Sequence, residues 1–148
     1  LKSLPCEQIE SYENFFTTRA QEASKPLIGL ETVAFQMGIF DQIPQKLQLD
    51  ELAKMIKEKS AEEEFQKLID AYMSEDIEAL FEAMNEDGFM VEYRDLILDS
   101  RNKAWIPILE KEMANQSVFA AVGGGHLGGE NGVIALLREQ GYTVTPIK

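Results

Sequence analysis

Val118-Phe119-Ala120-Ala121-Val122-Gly123-Gly124-Gly125-His126-Leu127-Gly128-Gly129 is the stretch on which the fold assignment turns. Its first five residues are apolar and compact, as in a buried strand. Glycines then crowd around one histidine. Asn131 to Gln140 follows with Val133, Ile134, Leu136 and Leu137 at helical spacing, and Gly141 stands where a helix C′ glycine belongs. Tyr142 to Ile147 alternates like a strand. The whole reads as a β–loop–α–β unit, and such units feed parallel sheets.

Upstream, Leu27-Ile28-Gly29-Leu30 is a second short apolar run, ending at Glu31. Strands are therefore expected near 27–31, 118–122 and 143–147. The remainder reads as helix. Glu7 to Glu22 carries Ile9, Tyr12, Phe15 and Phe16 at helical spacing, and Thr32 is a plausible N-cap for a helix with Val33, Met37 and Phe40. Pro44 precedes a helix from Gln45 to Lys59, and Ser60 with Glu63 resembles a capping box. Further helices are expected from near Ser74-Glu75 and over Phe89 to Trp105, with Pro107 kinking the chain or starting a new helix. The expected class is α/β, helix-rich, with a small and largely parallel sheet. So thin a sheet wants more strands and cover on both faces, so an incomplete domain is expected, completed from outside this chain or by a partner.

The chain has 148 residues, 45% of them hydrophobic and 27% charged, which suits one globular domain. Its net charge of −12 repels phosphate backbones and anionic headgroups. Lys54, Lys57 and Lys59 alternate with Glu51 and Glu58, as on a solvated helix face, so no nucleic-acid partner is expected. The single cysteine, Cys6, excludes an internal disulfide. No run reaches the roughly 18 apolar residues of a membrane span. Glu62, Glu63 and Glu64 fall in a helix first turn, where the macrodipole favours negative charge.

Gly123, Gly125 and Gly128 satisfy the GxGxxG pattern of dinucleotide sites. That fingerprint also requires a carboxylate about 20 positions on, and Thr143 to Lys148 offers none. A phosphate loop fails because no Gly-Lys-Ser/Thr follows. The loop has more glycines than one turn needs, which implies close backbone approach to something. His126, the only histidine, is a candidate metal ligand or acid–base group at the C-terminal end of its strand. Glu31, ending the other apolar run, is the natural carboxylate to stand beside it. Catalytic zinc-type sites take three protein ligands, so one histidine does not make a site.

These segments resemble the TraB/GumN/Tiki family. Gly123 to His126 is similar to its C-terminal GxxH motif, Gly29-Leu30-Glu31-Thr32 with Gln36 to a Gly-Leu-Glu-Thr segment, and Arg101-Asn102 with Trp105 to an Arg-Asn-x-x-Trp segment. The resemblance spans residues 27–148 and is strongest at the end, so 1–148 reads as the C-terminal part of a single domain of that type. It implies a metal-dependent hydrolase of peptidase type. His126 would be a metal ligand, Glu31 a catalytic or ligating carboxylate, and Arg101 a charge-stabilising group. The cofactor implied is a divalent transition metal and the substrate a peptide or small molecule. It also implies an earlier GxxH motif, which a chain with one histidine lacks. These residues alone are then expected to be inactive, needing a missing N-terminal half or a homo-oligomer partner. A non-catalytic binding or regulatory module that keeps the fold is the alternative. An extracytoplasmic setting, periplasmic or cell-envelope, follows from the resemblance alone.

Overall fold

The structure, a computed structural model, describes residues 10–58, 61–86 and 88–147. Cys6, the opening of the first expected helix at Glu7 and the Ser60 cap lie outside these residues. The described residues form helices joined by extended segments and turns.

Local chemistry accounts for most helix starts. Helix α1 (Tyr12–Glu22) opens on Ser11, whose hydroxyl accepts from the Asn14 N–H. Helix α2 (Val33–Asp41) opens on the expected Thr32, which accepts from the Phe35 N–H at 3.1 Å. Helix α3 (Gln45–Glu58) follows Pro44, and α4 (Ala61–Met73) carries Glu62, Glu63 and Glu64 in its first turn. Helix α5 (Ile77–Met84) is capped by Asp76, which accepts from the N–H groups of Glu78 and Ala79.

Helix α6 (Gly88–Arg94), a π-helical segment (Asp95–Asp99) and helix α7 (Ser100–Met113) run on without a break. No new helix starts at Pro107, which lies inside α7 and leaves one backbone hydrogen bond of that helix unmade. The irregularity lies upstream, where the Ser100 N–H donates to Asp95 O across five residues. Helix α8 (Val133–Glu139) ends as expected at Gly141, which has φ 90°. There the Gly141 N–H donates to Arg138 O and the Tyr142 N–H to Leu137 O.

The expected α/β class with a parallel sheet is wrong. The described residues contain no strand, and 27–31, 118–122 and 143–147 run without ladder partners. The apolar runs promised burial that only some of their residues have. Leu30 and Val122 reach the core, while Leu27, Ile28 and Phe119 are 67%, 50% and 75% exposed. A strand needs backbone partners as well as an apolar pattern, and here helices supply the packing surface instead.

The core lies between α7 and α8. Trp105, Ile106 and Leu109 pack against Val133 and Leu136, with Leu30, Met113, Val122, Leu127 and Leu137 around them. Each fully buried side chain of this kind contributes roughly 1.5–3 kcal/mol. No helix among the described residues is long and apolar enough to cross a membrane.

Candidate functional site

The glycine loop is shaped first by its neighbour α5. A Cβ at Gly124 would stand 2.8 Å from Leu80, one at Gly125 2.5 Å from Met84, and one at Gly128 2.8 Å from the Ile77 carbonyl. Gly129 has φ 76° and faces the Phe81 ring. The close approach that the glycines imply is therefore made to a helix of the same chain. The Gly129 N–H also donates to Glu78 Oε2 at 3.1 Å. On that side a groove of about 320 Å3 is lined by Tyr72, Met73, Ile77, Leu80, Gly124 and Leu127, with the acidic Glu75 and Asp76 also on its wall.

Pressed against α5, the chain makes a short 3-10 turn over Gly124–His126, with the His126 N–H donating to Gly123 O. The turn delivers the imidazole onto α7. His126 Nδ1 lies 2.7 Å from Asn102 Oδ1, and its ring centroid is 4.5 Å from that of Trp105. Asn102 is 2% exposed, and its Nδ2 donates to Asn131 O at 2.9 Å. Asn131 Nδ2 donates in turn to Asp99 Oδ2 at 3.2 Å, and Asp99 pairs with Arg94 at 3.4 Å.

Next to Asn102 in the chain, Arg101 Nε and Nη2 donate to the two Glu31 oxygens, each at 2.8 Å, and Nη1 donates to Ile97 O. Gln36 Nε2 donates to Glu31 Oε2 at 3.2 Å. The paired side chains are only 13% and 6% exposed, so water screens little of this fork. The guanidinium also lies over the Trp105 ring at 5.3 Å. Glu31, Arg101 and His126 are thus gathered around one indole.

This setting governs charge. Burial, and then the Arg101 guanidinium, push the His126 pKa down to about 4, against a weaker upward pull from Glu31. The ring is neutral at neutral pH. The Arg101 hydrogen bonds hold the Glu31 carboxyl below its usual range despite burial, with smaller help from Gln36 and the Trp105 indole. That indole nitrogen is buried and makes no hydrogen bond of good geometry, so its part is a weak one.

Among the described residues no three His, Cys, Asp or Glu side chains gather where they could hold a metal ion. His126 fits one ligand position of such a site. Glu31 already accepts three hydrogen bonds, one at Oε1 and two at Oε2, so most of its lone pairs are spent on Arg101 and Gln36. The described residues therefore do not fit a complete metal site.

Asn102 and Trp105 stand in the sequence as members of the Arg-Asn-x-x-Trp segment with no role attached, and neither Asp99 nor Asn131 carries a site expectation. A signal for the first was present. Leu98, Asn102, Trp105, Ile106 and Leu109 fall on one helical stripe, and Asn102 is the polar residue within it. Asn131 meets Asn102 through its backbone carbonyl, which no residue type announces, and Asp99 through its side chain.

Fold and site together define a helical protein with a neutral imidazole set beside a buried guanidinium–carboxylate pair. The chain belongs to the TraB/PrgY/gumN family, whose model matches residues 2–146. The match reaches further towards the N-terminus than the segments that first carried the likeness. No curated protein and no solved structure matches the chain.

Proposed function

We propose that this chain serves in hydrolysis of a peptide-like substrate, with His126 as the group that presents a lone pair to the reaction centre. The observation that carries this reading is the imidazole held neutral, at a pKa of about 4, beside a locked Arg101–Glu31 pair. An imidazole so far below its ordinary range is a weak proton acceptor at neutral pH. Its useful property there is its lone pair, as in a metal ligand. A divalent ion in this reading would take His126 and further ligands beyond the described residues, and would polarise a carbonyl. Arg101 supplies fixed positive charge nearby, and the largely apolar groove bordering Gly124 and Leu127, edged by Glu75 and Asp76, suits an apolar side chain of the substrate.

A second reading, a binding module without chemistry, is favoured by one observation. Both Glu31 oxygens are committed to Arg101, as in a structural ion pair. Metal content and peptide cleavage, measured for the purified protein and for His126→Gln, separate the two. The hydrolytic reading expects both to fall at least about tenfold in the variant, equivalent to ~1.4 kcal/mol. Cleavage and bound metal unchanged by the substitution would discard the role of His126.

A further inference from the structure

We propose that Asn102 is a positioning residue that fixes the neutral His126 ring in one tautomer, with hydrogen on Nδ1 and the lone pair on Nε2. The inference rests on His126 being the reactive group of the preceding reading, and it names which nitrogen reacts.

The argument starts at Asn131. Its carbonyl can only accept, so the Asn102 atom 2.9 Å away must be the amide nitrogen. The opposite amide orientation would set the Asn102 and Asn131 oxygens against each other. With Nδ2 fixed on Asn131, the atom that Asn102 turns to His126 is Oδ1, at 2.7 Å. That oxygen has no hydrogen to give. Nδ1 must therefore carry one, and the neutral ring keeps its lone pair on Nε2. The other tautomer would bring two lone pairs together at a side chain that is 2% exposed, where water cannot relieve them.

The orientation of Asn102 is itself held at a distance. Asn131 is tied to Asp99, which is 6% exposed and paired with Arg94. Asp99 lies in the π-helical segment and Asn102 one turn on. The backbone irregularity and the ring orientation thus belong to one chain of hydrogen bonds. Histidines that work through one nitrogen commonly donate from the other, and here a carboxamide takes the place of the usual carboxylate or carbonyl.

The test uses the 15N-labelled protein, metal-free and without substrate, in long-range 1H–15N correlation spectra at neutral pH. Signals missing from His126→Gln assign the ring. The expected pattern is a pyrrole-type Nδ1 and a pyridine-type Nε2, with about a tenfold or greater excess of the Nδ1–H form. A pyridine-type Nδ1, or two averaged nitrogens, overturns the proposal. Asn102→Leu removes the acceptor and should shift the ring towards Nε2–H, and retention of the original pattern in that variant also overturns the role of Asn102. Should the leucine variant fail to fold, the wild-type spectrum decides. No step of the test depends on cleavage. A protein that hydrolyses nothing can still show the pattern, and a hydrolase with the wrong pattern sinks this inference alone.

Discussion

Helices α1 to α4 and the segment from Asp95 to Leu137 use apolar residues in opposite ways. In the second, Leu98, Trp105, Ile106, Leu109, Val133 and Leu136 are buried, and the exposed Val118 and Phe119 lie in the connection between α7 and the glycine loop. In the first, Ile39 is buried, while Phe40, Leu52, Ile56 and Met73 stay 54–71% exposed. The hydrogen-bond chain from Asp99 to His126 lies wholly in the packed segment. Packing is what gives the site its character. An Asn or a His in the looser region would be hydrated, with its ionisation and orientation left open.

The largest effect expected is at Trp105, which joins the core to the site. Trp105→Ala should lower stability by about 3–5 kcal/mol in denaturant unfolding. It should also let water reach His126 and raise the imidazole pKa back towards 6.5, observable by NMR titration. A loss below ~1 kcal/mol would mean that the two regions are not different in packing.

Glycines sharpen the contrast because the same substitution should change sign between the regions. Gly128→Ala puts a methyl against the Ile77 carbonyl and Phe81 Cβ, and neither can move without displacing α5. A loss of about 1–3 kcal/mol is expected. Gly38, inside α2, has open space where a Cβ would go. Gly38→Ala should gain about 0.5–1 kcal/mol through helix propensity and a less flexible unfolded chain. Thermal unfolding of the two variants side by side checks both signs.

Acid should act on the packed segment first. His126 takes up a proton at about 4 when folded, against an ordinary 6.5, so the unfolded chain protonates first as pH falls. Its contribution is complete above about 6.5 and declines towards about 4. The full shift overstates the stability at stake, because the ring is partly open to water, and about 1–2 kcal/mol is expected. Glu31, with its lowered pKa, adds stability that is lost at still lower pH. Unfolding free energies measured across this range should flatten between 6.5 and 4 in His126→Gln. An unchanged slope in the variant would assign the acid sensitivity elsewhere.

Much of this was legible in particular residues. Thr32 and Gly141 mark helix ends by local chemistry, and the structure uses both as expected. Glu31, Arg101 and His126 were named from motif and order, and they do converge. The strands were misread because an apolar run records only that some side chains need cover. Leu30 and Val122 find theirs on helices, and nothing in the run reveals that. The glycines announce a close backbone approach without naming its partner, which proves to be Leu80, Met84 and Ile77 of α5. Contacts between residues so distant in sequence leave no periodic trace.

The smallest effect tests the looser region directly. Ile56 in α3 is 70% exposed, so its side chain loses little hydration on folding. Ile56→Gln removes a β-branched residue from a helix and replaces it with a straight-chain one of slightly better propensity. The two small terms oppose each other, and a change within about 0.5 kcal/mol is expected. Unfolding at two protein concentrations is the measurement. A loss well above ~1 kcal/mol that grows with concentration would show that Ile56 is covered in solution by another copy of the chain. The contrast between the regions would then describe the monomer and not the assembled protein.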